Sequence, residues 1–370
     1  TGAASRTDNI NNNTFTNLVA NTSGNVTFIL PSRTLTASAI ENCNNNRIVT
    51  AFLKPIAGGT VTLNKSNTSA EGNLVHTGND FSNITLTGNT KMEGWVITDG
   101  SFGGGSLKTI SNNIFKNWIC GSSRTIVINA TGGSYSGIIN HNEISGISAS
   151  ADTLMGIVLG TGPSFSDNTI ADLTNAKAGG LTTAIYCFYT GVTNISNNDI
   201  SGISTSGSTN RLLGIYLNGS NLSCSGNTIT GLTNTNTGLT TGIYNDFPGF
   251  SNGAPYINNN TIIGISAVLS ASGIFNLGSA NIFKNKIYNI SLTGTSGAAR
   301  GIFIASYQEE SAGYNIYNNI IGDLKADACN NATAIAGIAV DVMAFGAFNN
   351  VFYNIFYNTV YINALSGGTN

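Results

Sequence analysis

Charge is scarce in this chain: Lys, Arg, Asp and Glu make up 9% of its 370 residues, against roughly 25% in an ordinary globular chain. With a net charge of -2 and no block of Lys or Arg, it lacks the electrostatic footprint of nucleic-acid binding. No apolar run approaches the roughly 18 residues of a membrane-spanning helix, so insertion by that route is not expected. Five cysteines, at 43, 120, 187, 224 and 329, and two histidines show neither paired nor ligand-like spacing, which argues against a disulfide framework and against zinc or another metal. No cofactor is implied. Gly103-Gly104-Gly105 lacks the Lys-Ser/Thr and following helix of a phosphate loop, and the regular Asp of calcium-binding nonapeptides is absent.

In place of charge stand Asn, Thr, Ser and Gly, and they recur in a phrase. Its clearest copy runs from Ile257 to Ile265: apolar, two free, Asn, one free, apolar, one free, Gly/Asn/Asp, apolar. The index asparagines are Asn113, Asn142, Asn168, Asn198, Asn227, Asn260, Asn285, Asn319 and Asn358. Three places earlier every copy is apolar, from Ile110 through Cys224 to Ile355, and so is every copy two places later, from Phe115 to Val360. Four places after the index come Asn117, Gly146, Asp172, Gly202, Gly231, Gly264, Asn289 and Asp323, the residue types that best tolerate a left-handed backbone. The last copy departs from this rule, with Ile362 there and Asn363 after it.

A second phrase sits midway between the asparagines, as in Gly156-Ile157-Val158-Leu159, Gly214-Ile215-Tyr216-Leu217 and Gly301-Ile302-Phe303-Ile304. Each repeat thus holds short strand-like segments with no helical period. One such unit cannot bury its own apolar side, whereas stacked units can, so the period implies a solenoid. Equivalent residues would lie about 4.8 Å apart along the stack, and each index amide would donate to the next. A buried amide without a partner would cost roughly 2 kcal/mol or more, so such a ladder fixes which coil sits on which.

Residues 1–24 read as a polar extension or cap, residues 25–109 as irregular first coils without the index, and residues 110–370 as regular coils. Inserts such as Asp246-Phe247-Pro248-Gly249-Phe250 and Tyr307-Gln308-Glu309-Glu310 should project as loops. The start, with neither Met nor a leader pattern, is expected to follow processing, and the Gly-rich end, uncapped, to continue past Asn370.

The residues resemble a family. Lys286-Ile287-Tyr288-Asn289-Ile290, Ile316-Tyr317-Asn318-Asn319-Ile320-Ile321-Gly322-Asp323-Leu324 and Phe356-Tyr357-Asn358-Thr359-Val360-Tyr361-Ile362-Asn363-Ala364 are similar to stretches of large secreted β-helix surface proteins of Bacteroidota. So are Gly24-Asn25-Val26-Thr27-Phe28-Ile29-Leu30 and Trp95-Val96-Ile97-Thr98-Asp99-Gly100 near the head. The resemblance implies an all-β, right-handed parallel β-helix with an internal Asn ladder and about 25–35 residues per coil. It also implies export by the type nine secretion system, an extracellular or outer-surface location, and a role as adhesin, matrix or filament component. The same architecture serves polysaccharide lyases and hydrolases, which is the alternative.

For an enzyme, clustered carboxylates are needed on one face, and the acidic residues scatter. Asp172 and Asp323 occupy the left-handed column and read as turn residues. Asp167 and Asp199 flank the index in different repeats, and a hydrolytic pair there is the less favoured reading. His141, just before Asn142, reads as a solvated surface side chain. No residue is assigned as catalytic. The candidate contact stripe is the column after the midpoint Ile: Tyr186, Tyr216, Tyr244, Phe275 and Phe303, which alternation sends outward. Either these rings meet a glycan, a neighbouring surface protein or a filament subunit, or an inserted loop covers them. Asp152-Thr153-Leu154 resembles a Bacteroidota O-glycosylation signal, with Thr153 as acceptor in an inter-strand loop.

Overall fold

The structure is a computed structural model that describes residues 6–31, 35, 38–66, 72–97, 107–132, 136–160, 162, 164–188, 194–246, 253–307, 313–343 and 352–362. Gly103-Gly104-Gly105, most of the two inserts at 246–250 and 307–310, and the chain after Ile362 lie outside them. All described elements are strands; no helix among the described residues is long and apolar enough to cross a membrane. The chain divides into two compact units, Thr1–Lys177 and Ala178–Asn370. Each is a parallel β-solenoid in which successive coils contribute one strand to each of three sheets.

One coil of the second unit shows how the phrase folds. Tyr256–Asn258 lies in the first sheet, Thr261–Ala267 in the second and Ser270–Asn276 in the third. Between the first two strands the chain turns at Asn259, with φ 53°, and then at the index Asn260. Every described copy of that pre-index position in this unit is left-handed: Asn197, Gly226, Asn259, Lys284, Asn318 and Tyr357. In the first unit the same holds for Asn112, His141 and Asp167.

The second strand contains a left-handed kink. Gly264 has φ 74°, and the pairing with the next coil runs Ile262↔Ile287, Ile263↔Tyr288, then Ile265↔Ile290. The skipped residue is left-handed in both coils, Gly264 opposite Asn289, so the in–out alternation resets in step and the register is kept. Hence Ile262 and Ile265, three apart, both face the core and are fully buried. Asn117, Asp172, Asn289 and Asp323 take the same left-handed conformation, φ 52–57°, so the two aspartates are turn residues.

The midpoint glycines answer to space instead. A Cβ on Gly242 would lie 2.7 Å from both the Gly273 carbonyl oxygen and Ile262 Cγ2, so only a hydrogen there lets the third sheet close onto the second.

The first coils differ from expectation. Thr7–Asn9 already pairs with Ile40–Asn42, and Thr14–Phe15 with Arg47–Ile48, so residues 7–15 are part of the stack and not an extension. The index is present as well, at Asn13, Asn46 and Asn79, spaced by 33 and 33 residues and then 34 to Asn113. Its flanks obscured it. Three places before Asn79 stands His76, where other copies are apolar, and Thr50 follows Asn46 where a left-handed residue is usual.

Candidate functional site

Within each unit the index amides form a run of hydrogen bonds. In the first, Nδ2 of Asn13, Asn46, Asn79, Asn113 and Asn142 each donates to Oδ1 of the next index residue, ending at Asn168, over 2.7–3.0 Å. In the second, Asn198, Asn227, Asn260, Asn285 and Asn319 do the same toward Asn358 over 2.9–3.0 Å. The same Oδ1 accepts the backbone N–H of the donor residue, as from Asn227 to Asn260 at 3.0 Å. The other Nδ2 hydrogen reaches the carbonyl three places before the previous index, for instance Asn260 to Cys224 at 2.9 Å and Asn285 to Ile257 at 2.8 Å. Each interior amide is thereby satisfied on both nitrogen hydrogens and both lone pairs.

The third-sheet aromatics do stand in one register, on the outer face of the second unit: Tyr186↔Tyr216↔Tyr244↔Phe275↔Phe303. They stack mainly on one another. Ring centroids are 4.4, 5.7 and 4.8 Å apart from Tyr186 to Phe275, with planes within 2–11°, and Phe303 meets Phe275 edge-on at 5.0 Å. Leu213, Leu277 and Ala305 pack against them, leaving Tyr216, Tyr244 and Phe303 only 6–8% exposed. Arg211 and Arg300 lie over the Tyr244 and Phe303 rings at 5.1 and 4.2 Å. Tyr216 donates to Asp246 Oδ2 at 2.6 Å; burial and then this carboxylate push its phenol well above the usual tyrosine range. Burial to this degree closes the Tyr216, Tyr244 and Phe303 rings to a sugar.

A buried polar group in the first unit carries no signal in the sequence pattern. His76 Nε2 lies 3.1 Å from Glu41 Oε1, and Trp95 Nε1 donates to His76 Nδ1 at 2.9 Å, all three residues fully buried. Indole nitrogen can only donate, so Nδ1 accepts and the imidazole proton sits on Nε2, facing the carboxylate. Lys54, also fully buried, gives its ammonium to the carbonyls of Thr22, Ile56 and Gly58 at 2.6–2.7 Å. These groups face the core, where no substrate reaches.

The remaining acids are dispersed. Glu93 pairs with Lys91 at 2.6 Å and with Arg124; burial raises its carboxyl, but the two cations outweigh that and hold it below the usual range. Lys116 pairs with Glu143 at 2.5 Å, and Lys325 with Asp323 at 3.0 Å. Asp167 is a left-handed turn residue, φ 56°, and Asp199 begins a second-sheet strand. His141 is exposed, as read, but its position is set by its left-handed backbone, φ 53°. Thr153 opens the strand Thr153–Leu159 and is half-buried, rather than lying in a loop; the neighbouring Asp152 is exposed.

All five cysteines are buried free thiols, and burial pushes Cys43, Cys120 and Cys187 up to about 12, which leaves them unreactive. Among the described residues no three His, Cys, Asp or Glu side chains come together to hold a metal ion.

On the outer face of the third sheet, a hollow of about 390 Å³ is lined by Arg300, Phe303, Thr333, Ala339 and Asp341, among others. Burial draws the Arg300 guanidinium below its ordinary value, against the opposing pull of Asp341.

No family model matches the sequence, and no curated protein matches it. Solved structures similar to the chain are β-helix proteins. They include the catalytic domain of a GH87 alpha-1,3-glucanase variant in complex with nigerose, at 13% identity and a TM-score of 0.40, covering 93% of this chain. This chain spans 63% of that domain. A variant of the periplasmic alginate epimerase AlgG has 12% identity and a TM-score of 0.28, covering 84% of this chain and 77% of its own. The Siphovirus 9NA tailspike receptor binding domain has 13% identity and a TM-score of 0.29, covering 90% and 74%. The class is defined by the stacked coils and their three parallel sheets, a parallel β-helix; the likenesses extend to fold alone.

Proposed function

We propose that the chain is a segment of an extracellular, non-enzymatic β-helix protein that holds a polysaccharide or a neighbouring surface protein without transforming it. The resemblance to Bacteroidota surface proteins adds export by type nine secretion and a role in adhesion, matrix or filament formation. One observation carries the non-enzymatic reading: Glu93, Glu143 and Asp323 pair with Lys or Arg, Asp167 and Asp172 sit in left-handed turns, Glu41 is sealed in the core, and the hollow lined by Asp341 holds no second carboxylate. Hydrolysis by paired carboxylates needs them about 5–10 Å apart beside the substrate.

A second reading, a polysaccharide-processing enzyme, draws on the hollow of Arg300 and Asp341, which joins a cation to a carboxylate beside an aromatic ring. The test is incubation with neutral and uronic-acid polysaccharides, followed by assay for new reducing ends and unsaturated uronates. The proposal expects neither. Turnover abolished by Asp341→Asn would establish the second reading.

A further inference from the structure

The outer face of the first sheet in the second unit is built unlike the buried aromatic column. Four places before the index stand Asn281, Asn315 and Asn354, in register. Asn315 Nδ2 donates to Asn281 Oδ1 at 2.8 Å, and Asn354 Nδ2 to Asn315 Oδ1 at 2.9 Å. Two places before the index stand Phe283, Tyr317 and Phe356, also in register, with centroids 4.9 and 5.1 Å apart and planes within 1°. Tyr256, 50% exposed, and Asn258 continue the two columns on the preceding coil in swapped order. All of these side chains are half-buried or exposed.

We infer that this face binds a neutral polysaccharide whose chain runs along the stack, an inference that rests on the non-enzymatic reading above. Three features select that ligand. Within the ladder each amide uses one N–H and one lone pair, so Asn315 retains one donor and one acceptor, the complement of a sugar hydroxyl. Parallel rings in contact at about 3.5–4.0 Å but centred 4.9–5.1 Å apart must be inclined, so each shows part of its face as an apolar step for pyranose C–H groups. The same pair repeats about every 4.8 Å, which suits a polymer and not a single small ligand. No Lys, Arg, Asp or Glu occurs in the strands Tyr256–Asn258, Ala280–Phe283, Gly313–Tyr317 and Phe352–Phe356, and the exposed Lys284 in the turn after Phe283 is a lone charge beside them, so a polyanion gains little there.

The experiment is retention of the whole chain on microcrystalline cellulose, chitin and starch granules, with cross-linked alginate as the charged comparison. At least one neutral polymer is expected to retain it, and alginate is not. Asn315→Asp and Tyr317→Ser, both outward-facing, are expected to weaken retention at least tenfold with unchanged melting midpoints, while Tyr186→Ser on the third sheet leaves it intact. Failure of all three neutral polymers to retain the chain, preference for alginate, or retention unaffected by both variants would overturn the inference. New reducing ends in the same samples would instead refute the non-enzymatic reading, so the two failures are distinguishable.

Discussion

Replacing Asn260 by Ala isolates what one rung of the inner ladder contributes. Its side chain accepts from the Asn227 backbone N–H and Nδ2 at 3.0 Å each and donates to Asn285 Oδ1 and the Cys224 carbonyl. Asn285 Oδ1 keeps a partner, because the residue-260 backbone N–H still reaches it. Two groups lose theirs: the Asn227 N–H and one hydrogen of its amide, whereas the Cys224 carbonyl keeps its place in the ladder with Ile257 and its neighbours. A buried orphan costs about 1–3 kcal/mol, so the loss of two should be about 2–6 kcal/mol, toward the upper end for single substitutions.

Coils in a stack are coupled mainly to their neighbours, which makes hydrogen exchange of peptides covering 223–234 a better assay than a global melt. At 1.4 kcal/mol per tenfold, opening there should become at least about thirtyfold more frequent. Asn315→Ala, whose ladder faces solvent, should change stability by less than about 0.5 kcal/mol. Equal effects of the two variants, or a loss below about 1 kcal/mol for Asn260→Ala, would refute the argument.

Other perturbations follow from the same contacts. Thr240 is fully buried and its hydroxyl has no partner, so Thr240→Val should be neutral or stabilise by up to about 1 kcal/mol, seen as an unchanged or higher melting midpoint. Gly242→Ala sets a methyl 2.7 Å from Ile262 Cγ2 and the Gly273 carbonyl oxygen and should destabilise by about 1–3 kcal/mol in denaturant titration. Glu93 is held below its ordinary 4.5, so its contribution is present above that value and lost as pH falls through the lowered one. Glu93→Gln should therefore flatten the acid side of the melting curve, with the parent and the variant converging at the lowest pH.

Much of this molecule was legible because a solenoid repeats its constraints. The Asn column, its apolar flanks and the left-handed column were readable from spacing, since each is demanded at every coil. The first three rungs were missed where the flanks depart from type: His76 takes an Ile position because Glu41 and Trp95 satisfy it, a tertiary arrangement with no trace in the period. Alternation placed Tyr186 to Phe303 on the outer face but did not reveal that Leu213 and Leu277 cover them, or that the rings occupy one another. The first-sheet face left a signal that went unread: the columns four and two before the index hold Asn and aromatic residues in the last three copies.

The central claim is that buried side chains, not backbone pairing alone, hold each turn in place. Single-residue hydrogen exchange at the index backbone amides tests it most directly, with Asn46 and Asn79 the most demanding cases. Each bonds a side-chain oxygen at 3.0 Å although it lies in a turn, so both should exchange as slowly as amides within the adjoining strands. Exchange on the timescale of unprotected turn amides would contradict the account.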